Sequence, residues 1–188
     1  VFDVPFSSVA MWKKLVFFIN KYFAKRAYGA TVINEQLRSV IQMNYGIKNV
    51  KTALPSFGPW RFLDANASIV LDRYQLRGKN VLLIVGAIHP RKQQDFAIRV
   101  LAEVKKTFPH AVLVVVGGGR QAYINELYLF AESLHVRDDV IFTGVVSDAE
   151  LKHFYKACEI VICSGDISGF TILEATIMNK MAMYKSYG

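Results

Sequence analysis

The sequence predicts an α/β fold in which a parallel β-sheet is covered by helices on both faces. From residue 80 onward, short apolar runs rich in β-branched residues alternate with stretches of helical periodicity. The apolar runs are nearly continuous, as in strands that are buried on both faces of a parallel sheet. The chain has 188 residues, of which 53% are apolar, and this is enough material for one substantial core.

The predicted strands and helices alternate in a regular order. Four strands lie within NVLLIVGAI, AVLVVVGGG, DVIFTG and EIVICSG, and a further strand lies in the final MAMY. The first helix, over 91–108, has an apolar face made of Phe96, Val100, Leu101, Val104 and Phe108. The second helix has apolar residues at the same kind of spacing, namely Tyr123, Leu127, Phe130 and Leu134. The third opens with Ser147 and Glu150 at the spacing of a capping box, and the fourth covers 169–180.

The first third of the chain has a different character. A helix is predicted over 9–26, a short strand in ATVI and a second helix in NEQLRSVIQMNYG. The segment 54–60 contains two prolines and a glycine between apolar residues, which indicates a stiff linker. We therefore predict one domain at 1–53, a linker at 54–63 and a second domain at 64–188.

The net charge of +8 is concentrated in the first third, where residues 1–63 carry nine Lys and Arg against Asp3 and Glu35. On the helix over 9–26 the cations surround apolar residues, so this helix could lie on an anionic membrane surface. The alternative is an ordinary domain helix with a solvated basic face. No nucleic-acid partner is expected, since the basic residues accompany no recognised motif. No apolar run reaches the roughly 18 residues of a membrane-spanning helix.

The cysteines and the chain ends bear on the cellular setting. Cys158 and Cys163 match neither a CxxC motif nor a zinc-ligand spacing, so we expect buried thiols in a reducing cytoplasm. No targeting peptide is visible, and we expect a cytoplasmic protein, with peripheral attachment to a membrane left open. The chain begins with Val1 and stops at Gly188 shortly after the strand-like MAMY, so we expect a piece of a longer protein.

The candidate site lies where the predicted strands end. Ligands of open parallel sheets bind beyond the carboxyl ends of the strands. In this chain those ends are 86–92, 117–119, 144–147 and 164–171, and each contains small residues that let a ligand approach the backbone. A glycine run such as 117–119 is weak evidence by itself, because a tight turn explains it equally well.

The segment 164–171 carries the strongest signal. A helix that begins near Gly169 would direct its free N–H groups and the positive end of its dipole toward an anion such as a diphosphate. Ser168 would cap this helix. Asp166 before the helix and Glu174 within it could then bracket a ligand and accept hydrogen bonds from its hydroxyl groups. The alternative is that Glu174 is a partly exposed helix acid and Asp166 a turn former.

Several motifs occur together in one order: VGAIHPRKQQDF, AVLVVVGGG, DDVIFTGVVSDAEL and SGDISGFTILEATIMNK. With these motifs, residues 80–188 resemble the donor-binding half of retaining GT-B glycosyltransferases, and more closely glycosyltransferase family four, the glycosyl transferases group 1 domain. Residues 26–63 resemble the end of the acceptor-side N-terminal domain of that family and its linker. The resemblance implies that 64–188 is a truncated, Rossmann-like domain that binds a nucleotide sugar.

The resemblance also implies a role for individual residues. The acid pair of the family signature falls on Asp166 and Glu174, which would bind hydroxyls of the transferred sugar and of the nucleotide ribose. Lys92 matches the family's phosphate-binding lysine. The other implied donor-binding residues are Gly117, Gly118 and Gly119 of the glycine-rich loop, Val145 and Val146 beside the base, and Ser168, Gly169, Phe170 and Thr171 around the diphosphate. No metal or other cofactor is expected.

The sequence departs from the family pattern at a few positions. Ala87 stands where the family has a phosphate-binding arginine, which Arg91 would have to replace. The first signature acid is the shorter Asp166, and an alternative alignment places Ser168 at that position. Asn179 and Met181 stand in place of the usual Gly and Pro.

The implied function is a retaining transfer of a hexose from a nucleotide-diphosphate sugar to a glycan or lipid-linked acceptor, as in polysaccharide biosynthesis. This chain would be chiefly the donor-binding part, and weakly active or inactive alone. The alternative is a non-catalytic GT-B relative that serves as a nucleotide-sugar-binding or scaffold subunit. A dinucleotide-dependent dehydrogenase is disfavoured, because GGGRQAY lacks the last glycine of G-x-G-x-x-G.

Overall fold

The computed structural model describes residues 6–24, 26–32, 35–53, 59–164 and 169–184. The chain divides into two compact units, residues 1–56 and 57–188.

The first unit contains two helices and two short strands. Its elements are α1 (Phe6–Ala24), β1 (Ala30–Val32), α2 (Glu35–Tyr45) and β2 (Val50–Thr52). The two strands pair in parallel, and Val32, Ile47 and Val50 form the small buried core between strands and helices. The strand β2 was not predicted from the sequence, since three residues are too few to show an alternating pattern.

Helix α1 exposes most of the apolar face that its sequence predicted. The exposed fractions of Trp12, Phe18 and Phe23 are 57%, 65% and 65%. Tyr22 is also exposed, and the guanidinium of Arg26 lies 3.7 Å from the centre of its ring. Among the described residues, we find no helix whose length and hydropathy would let it cross a membrane.

The second unit is built on a five-stranded parallel sheet. The strands are β3 (Asn80–Val85), β4 (Ala111–Val116), β5 (Val140–Gly144), β6 (Ile160–Cys163) and β7 (Met181–Tyr184), in the spatial order β5-β4-β3-β6-β7. Every residue of β4 is buried, which explains why the run AVLVVV is apolar without alternation. This sheet confirms the predicted fold class.

Helices cover both faces of the sheet. They are α3 (Ala67–Arg73), α4 (Gln94–Lys105), α5 (Gln121–Ser133), α6 (Asp148–Ala157) and α7 (Gly169–Ile177). Leu82 and Leu113 face a core formed with α4 and α5, whereas their neighbours Leu83 and Val112 face a second core formed with α3, α6 and α7. Successive residues of a strand point to opposite faces, so the same strands supply both cores.

The first predicted helix of this unit is shorter than its sequence pattern indicated. It begins at Gln94 and not at residue 91, because Pro90–Lys92 form a 3₁₀ turn and Gln93 adopts a left-handed conformation, with φ 50° and ψ 48°. Its buried face consists of Gln94, Ala97, Ile98 and Leu101. The predicted Phe108 lies beyond its end and is 54% exposed. The sheet therefore packs against the Ala97, Ile98 and Leu101 face of α4, while Phe96, Val100 and Val104 pack at the margin.

Local sequence signals mark where several helices of this unit begin. The hydroxyl of Ser147 accepts a hydrogen bond of 3.2 Å from the amide of Glu150, which confirms the predicted cap of α6. Helix α7 begins at Gly169, as the sequence predicted, and MAMY forms β7. Helix α3 was not predicted; Asn66 caps it by accepting a 3.0 Å hydrogen bond from the amide of Ser68.

Candidate functional site

The strand order places a topological switch point between β3 and β6. The chain runs from β3 through β4 to β5 on one side and then returns to place β6 and β7 on the other side of β3. The connections that leave β3 and β6 therefore turn away from each other, onto opposite faces of the sheet. Such a switch point, at the carboxyl ends of the strands, is where open α/β sheets bind ligands.

Ser164 joins the two connections at this switch point. It follows β6 and is 8% exposed. Its Oγ lies 2.7 Å from the carbonyl oxygen of Lys92 and 3.2 Å from that of Gln93, so the hydroxyl donates to this pair of carbonyls. The basic turn Pro90–Lys92 is thereby attached to Ser164 at the end of β6, five residues before α7 begins.

A buried amide shapes the connection after β3. Gln94 is 1% exposed, and its Nε2 donates to the carbonyl of Ala87 at 2.9 Å. Its Oε1 accepts from the amide of His89 at 3.4 Å. The ring Nδ1 of His89 accepts from the amide of Arg91 at 3.2 Å and caps the 3₁₀ turn. These bonds give the turn that carries Lys92 a defined shape.

The glycine run after β4 is required by backbone packing. A Cβ atom at Gly117 would lie 2.0 Å from the carbonyl oxygen of Gly86, and φ at Gly117 is +145°, a conformation that favours glycine. A Cβ at Gly119 would lie 2.4 Å from the carbonyl oxygen of Ile88. The connections after β3 and β4 thus touch through their backbones. This contact accounts for two of the glycines without a ligand, and a role in donor binding stays a prediction.

The residues predicted to face a nucleotide base lie after β5. Val145 is 82% exposed at this end of the sheet. Val146 is half-buried and packs against the core that contains Phe154. Only the first of the two therefore presents its side chain freely to solvent.

Glu174 lies at the boundary between the core and the surface. It is 7% exposed, and its Oε2 accepts a 2.6 Å hydrogen bond from the hydroxyl of Tyr155. Its Oε1 lies 3.9 Å from NH1 of Arg61, a partly exposed side chain whose NH2 is 2.8 Å from Asp148. The interpretation of Glu174 as a partly exposed helix acid is wrong, because α7 turns it inward. One oxygen faces the core and the other faces a cation.

Tyr155 holds its proton in this arrangement. It is fully buried, and its ring packs edge-to-face with that of Phe62, with ring centres 6.0 Å apart. Burial raises the pKa of Tyr155 far above its ordinary value, and the hydrogen bond to Glu174 raises it further. The hydroxyl is therefore a permanent donor to the carboxylate.

The remaining predicted site residues are distributed as follows. Asp166 and Ser168 lie outside the described residues. Gly169 and Phe170 form the first turn of α7 with Thr171, which is 8% exposed. In the part of the chain that the structure describes, no three His, Cys, Asp or Glu side chains come together as a metal site would require. Independence from a metal stays a prediction.

The family model of glycosyl transferases group 1 matches residues 72–182, which is more than half of the chain. The chain belongs to this family. The match includes all five strands of the large sheet except the last residues of β7. It also includes the switch point with Lys92, Ser164 and Glu174.

Curated relatives and solved structures agree with the family. The GDP-mannose-dependent alpha-(1-6)-phosphatidylinositol monomannoside mannosyltransferase of Mycolicibacterium smegmatis is 33% identical over 89 residues, which are 47% of this chain and 23% of that protein. The alpha-monoglucosyldiacylglycerol synthase of Streptococcus pneumoniae is 33% identical over 100 residues, 52% of this chain and 22% of that protein. The matched segments are therefore about a quarter of these relatives.

The fold is shared with HepE of Anabaena, whose structure was solved in complex with UDP and glucose. The two superpose with a TM-score of 0.78 at 18% identity, over 92% of this chain and 48% of HepE. At this identity the likeness concerns the fold, which is that of the GT-B glycosyltransferases.

Sequence reasoning missed three residues of the site, Gln94, Tyr155 and Arg61, and it included Ser164 in the segment 164–171 without giving it a role. Tyr155 lies on the buried face of α6, and sequence reasoning gave it no role in the site. A tyrosine on a buried face needs an acceptor for its hydroxyl, and this requirement could have raised the question of a nearby acid. Ser164 and Gln94 act through hydrogen bonds to backbone carbonyls 72 and 7 positions away, which the sequence does not signal.

Proposed function

We propose that this chain supplies the donor-binding part of a retaining glycosyltransferase, which moves a hexose from a nucleotide-diphosphate sugar to a glycan or lipid-linked acceptor. The hydrogen bond from Ser164 to the carbonyl of Lys92 carries the proposal. It brings a basic turn beside the end of β6, from which the chain proceeds to the start of α7 and to Glu174. A cation, a helix amino end and a carboxylate are the groups that a nucleotide diphosphate requires.

Each group has a chemical part in the proposal. Lys92 and the first N–H groups of α7, at Gly169, Phe170 and Thr171, would stabilise the charge of the diphosphate as it leaves. Glu174 would accept hydrogen bonds from the ribose hydroxyls through its oxygen on the Arg61 side. Asp166 would accept from the hexose, Ser168 would cap α7, and Gly117, Gly118, Gly119, Val145 and Val146 would line the remainder of the site. A metal or other cofactor has no part in this chemistry.

The relatives support the donor class. The mannosyltransferase of Mycolicibacterium smegmatis is named for its dependence on GDP-mannose, and HepE was crystallised with UDP and with glucose. The names of this mannosyltransferase and of the alpha-monoglucosyldiacylglycerol synthase of Streptococcus pneumoniae both refer to lipids. They support a lipid-linked or glycan acceptor for the whole protein.

A thermal-shift panel with UDP, GDP and ADP tests the proposal. A ligand at about 100 times its Kd adds about 2.7 kcal/mol to the free energy of unfolding, which raises the melting temperature by about 5 °C or more. We expect one of the three nucleotides to produce this rise, and Glu174→Ala to lose most of it. Glu150→Ala is a matched control, since this acid lies on α6 in a surface pair with Arg73.

The outcomes separate a donor-binding chain from a scaffold subunit. No rise with any of the three nucleotides would contradict the proposal. Calorimetric titration with the corresponding nucleotide sugars distinguishes the alternative of a scaffold subunit, for which we expect no heat. Ala87, in place of the family's arginine, favours this alternative.

We also propose that helix α1 contacts an anionic membrane surface. Its exposed aromatic side chains Trp12, Phe18, Tyr22 and Phe23 lie near the cations Lys14, Lys21 and Arg26. Aromatic residues suit the interface between headgroups and acyl chains, and the cations would attract acidic headgroups.

Sedimentation with lipid vesicles tests the membrane contact. We expect binding to vesicles with about 30% phosphatidylglycerol, little binding to pure phosphatidylcholine, and loss of binding as salt is raised. Phe18→Ser with Phe23→Ser should abolish sedimentation. The control Phe108→Ser removes an aromatic of the second unit that is 54% exposed, against 65% for Phe18 and for Phe23. Equal sedimentation with both lipids would contradict the electrostatic part of the proposal.

A further inference from the structure

The hydrogen bond between Tyr155 and Glu174 joins the centre of a hydrophobic core to the proposed site. The tyrosine is fully buried beside Phe62 and Cys158, and its hydroxyl is 2.6 Å from Oε2 of Glu174. Its ring belongs to a cluster of closely packed, buried apolar residues, so the position of the hydroxyl is fixed by packing. A fixed donor selects one orientation of the carboxylate.

A carboxylate on a glutamate otherwise rotates over a broad range, because its last torsion has no sharply defined rotamers. The bond from Tyr155 uses one of the about four lone-pair sites of the carboxylate. It leaves Oε1 turned toward Arg61, at 3.9 Å. The orientation that the core imposes is therefore the one that presents Oε1 to the partly exposed side.

We infer that Tyr155 is a positioning residue, which aims the Glu174 carboxylate at the ribose hydroxyls of the bound nucleotide. The inference rests on the proposed function of Glu174 as the ribose acceptor. Tyr155 does not touch the ligand; it acts by holding Oε2, so that the remaining lone pairs stay directed at the diol. Its raised pKa supports this role, since the hydroxyl donates at any physiological pH.

A merely structural role would have a different signature from a positioning role. If Tyr155 only stabilised the fold, its loss would weaken the binding of all nucleotides equally or of none. If Tyr155 positions Glu174, its loss weakens only ligands that have ribose hydroxyls. A 2′,3′-dideoxynucleotide lacks these hydroxyls and keeps the base and the diphosphate, so it separates the two roles.

The experiment measures Kd by calorimetry for whichever of UDP, GDP and ADP binds the wild type, and for its 2′,3′-dideoxy analogue. For Tyr155→Phe we expect Kd of the ribonucleotide to rise about tenfold and that of the analogue to change by less than about twofold. On a Glu174→Ala background the same substitution should have no further effect on the ribonucleotide. Tyr74→Phe is the matched control, since this ring packs on Phe154 in the same core, with centres 5.4 Å apart.

A second measurement avoids any loss of stability in Tyr155→Phe. The wild type, with its nine tyrosines replaced by 3-fluorotyrosine, is followed by fluorine NMR. We expect a resonance that shifts with the ribonucleotide and not with the dideoxy analogue. Equal weakening of both ligands in Tyr155→Phe, or fluorine spectra that respond identically to both, would overturn the inference. Failure of the wild type to bind any of the three nucleotides would instead overturn the proposed function itself.

Discussion

The glycine run after β4 offers a sharp test of the packing argument. Gly117→Ala places a Cβ atom 2.0 Å from the carbonyl oxygen of Gly86, in a backbone with φ +145°. Gly118→Ala meets only Cγ2 of Val145, at 2.8 Å, and Gly118 has no positive φ. Gly144→Ala meets nothing within 4 Å but requires φ +74°. The three substitutions therefore separate backbone overlap, a side-chain contact and backbone conformation.

The expected costs follow from these contacts. For Gly144→Ala we expect about 1–2 kcal/mol, the cost of a left-handed conformation with a Cβ atom. For Gly118→Ala we expect less than about 1 kcal/mol, because Val145 is 82% exposed and can turn away. Gly117→Ala combines strain of about 1–3 kcal/mol with overlap between two backbones. The overlap would also disturb the hydrogen bond from the amide of Gly117 to the carbonyl of Gly144, which is 2.9 Å long. We therefore expect a total of at least about 3 kcal/mol.

Urea unfolding of the three variants measures these differences. The order of destabilisation should be Gly117→Ala, then Gly144→Ala, then Gly118→Ala. A tolerated Gly117→Ala, or a Gly118→Ala as damaging as Gly117→Ala, would refute the packing argument. Because Gly118→Ala should fold normally, its nucleotide affinity reports directly on whether this loop contacts the donor.

Three further predictions concern the switch point and the core. Gln93→Gly should relieve the left-handed conformation and raise the melting temperature by about 2–4 °C, and a lower midpoint would contradict this. Ser164→Ala should release the turn of Lys92 and weaken, several-fold, the binding of whichever of UDP, GDP and ADP binds the wild type, while leaving the binding of the matching nucleoside unaffected; equal weakening of both by calorimetry would argue against a phosphate role. Burial raises the pKa of Cys158 from 9.0 to about 12, so the unfolded thiol ionises first and stability is lost as pH rises through this range. Cys158→Ala should reduce that loss in urea titrations, and an unchanged pH dependence would disprove it.

Much of the second unit could be predicted from its sequence because its signals are local. Strands buried on both faces need apolar runs such as AVLVVV, and a cap such as Ser147 acts on an amide three residues away. The extent of α4 was overestimated because the helical pattern continues through Gln93, whose left-handed conformation leaves no trace in the sequence. The spatial order of the strands could not be predicted from the hydrophobic pattern either, since it depends on which side of β3 the chain returns to after α6.

The candidate site was predictable in its members but not in its connections. Lys92 and Glu174 were identified by motif, yet the bonds that orient them come from Ser164 and Tyr155, which are 72 and 19 positions away. Such partners are fixed by tertiary packing, and no local spacing indicates them. The inward orientation of Glu174 followed from the packing of α7 and was not part of the prediction.

The departures from the family pattern have different consequences for the structure of the site. Asn179 replaces a glycine at φ 53°, a left-handed conformation that Asn adopts more readily than most residues, so the backbone requirement is kept. Ala87 replaces an arginine, and its carbonyl is held by Gln94, so this position contributes shape but no positive charge. The conformation of the site is thus preserved where its charge is reduced. If the donor binds weakly, the cause should lie in the diphosphate contacts. Ala87→Arg would then raise the affinity for the nucleoside diphosphate more than that for the nucleoside, whereas Asn179→Gly would change neither affinity.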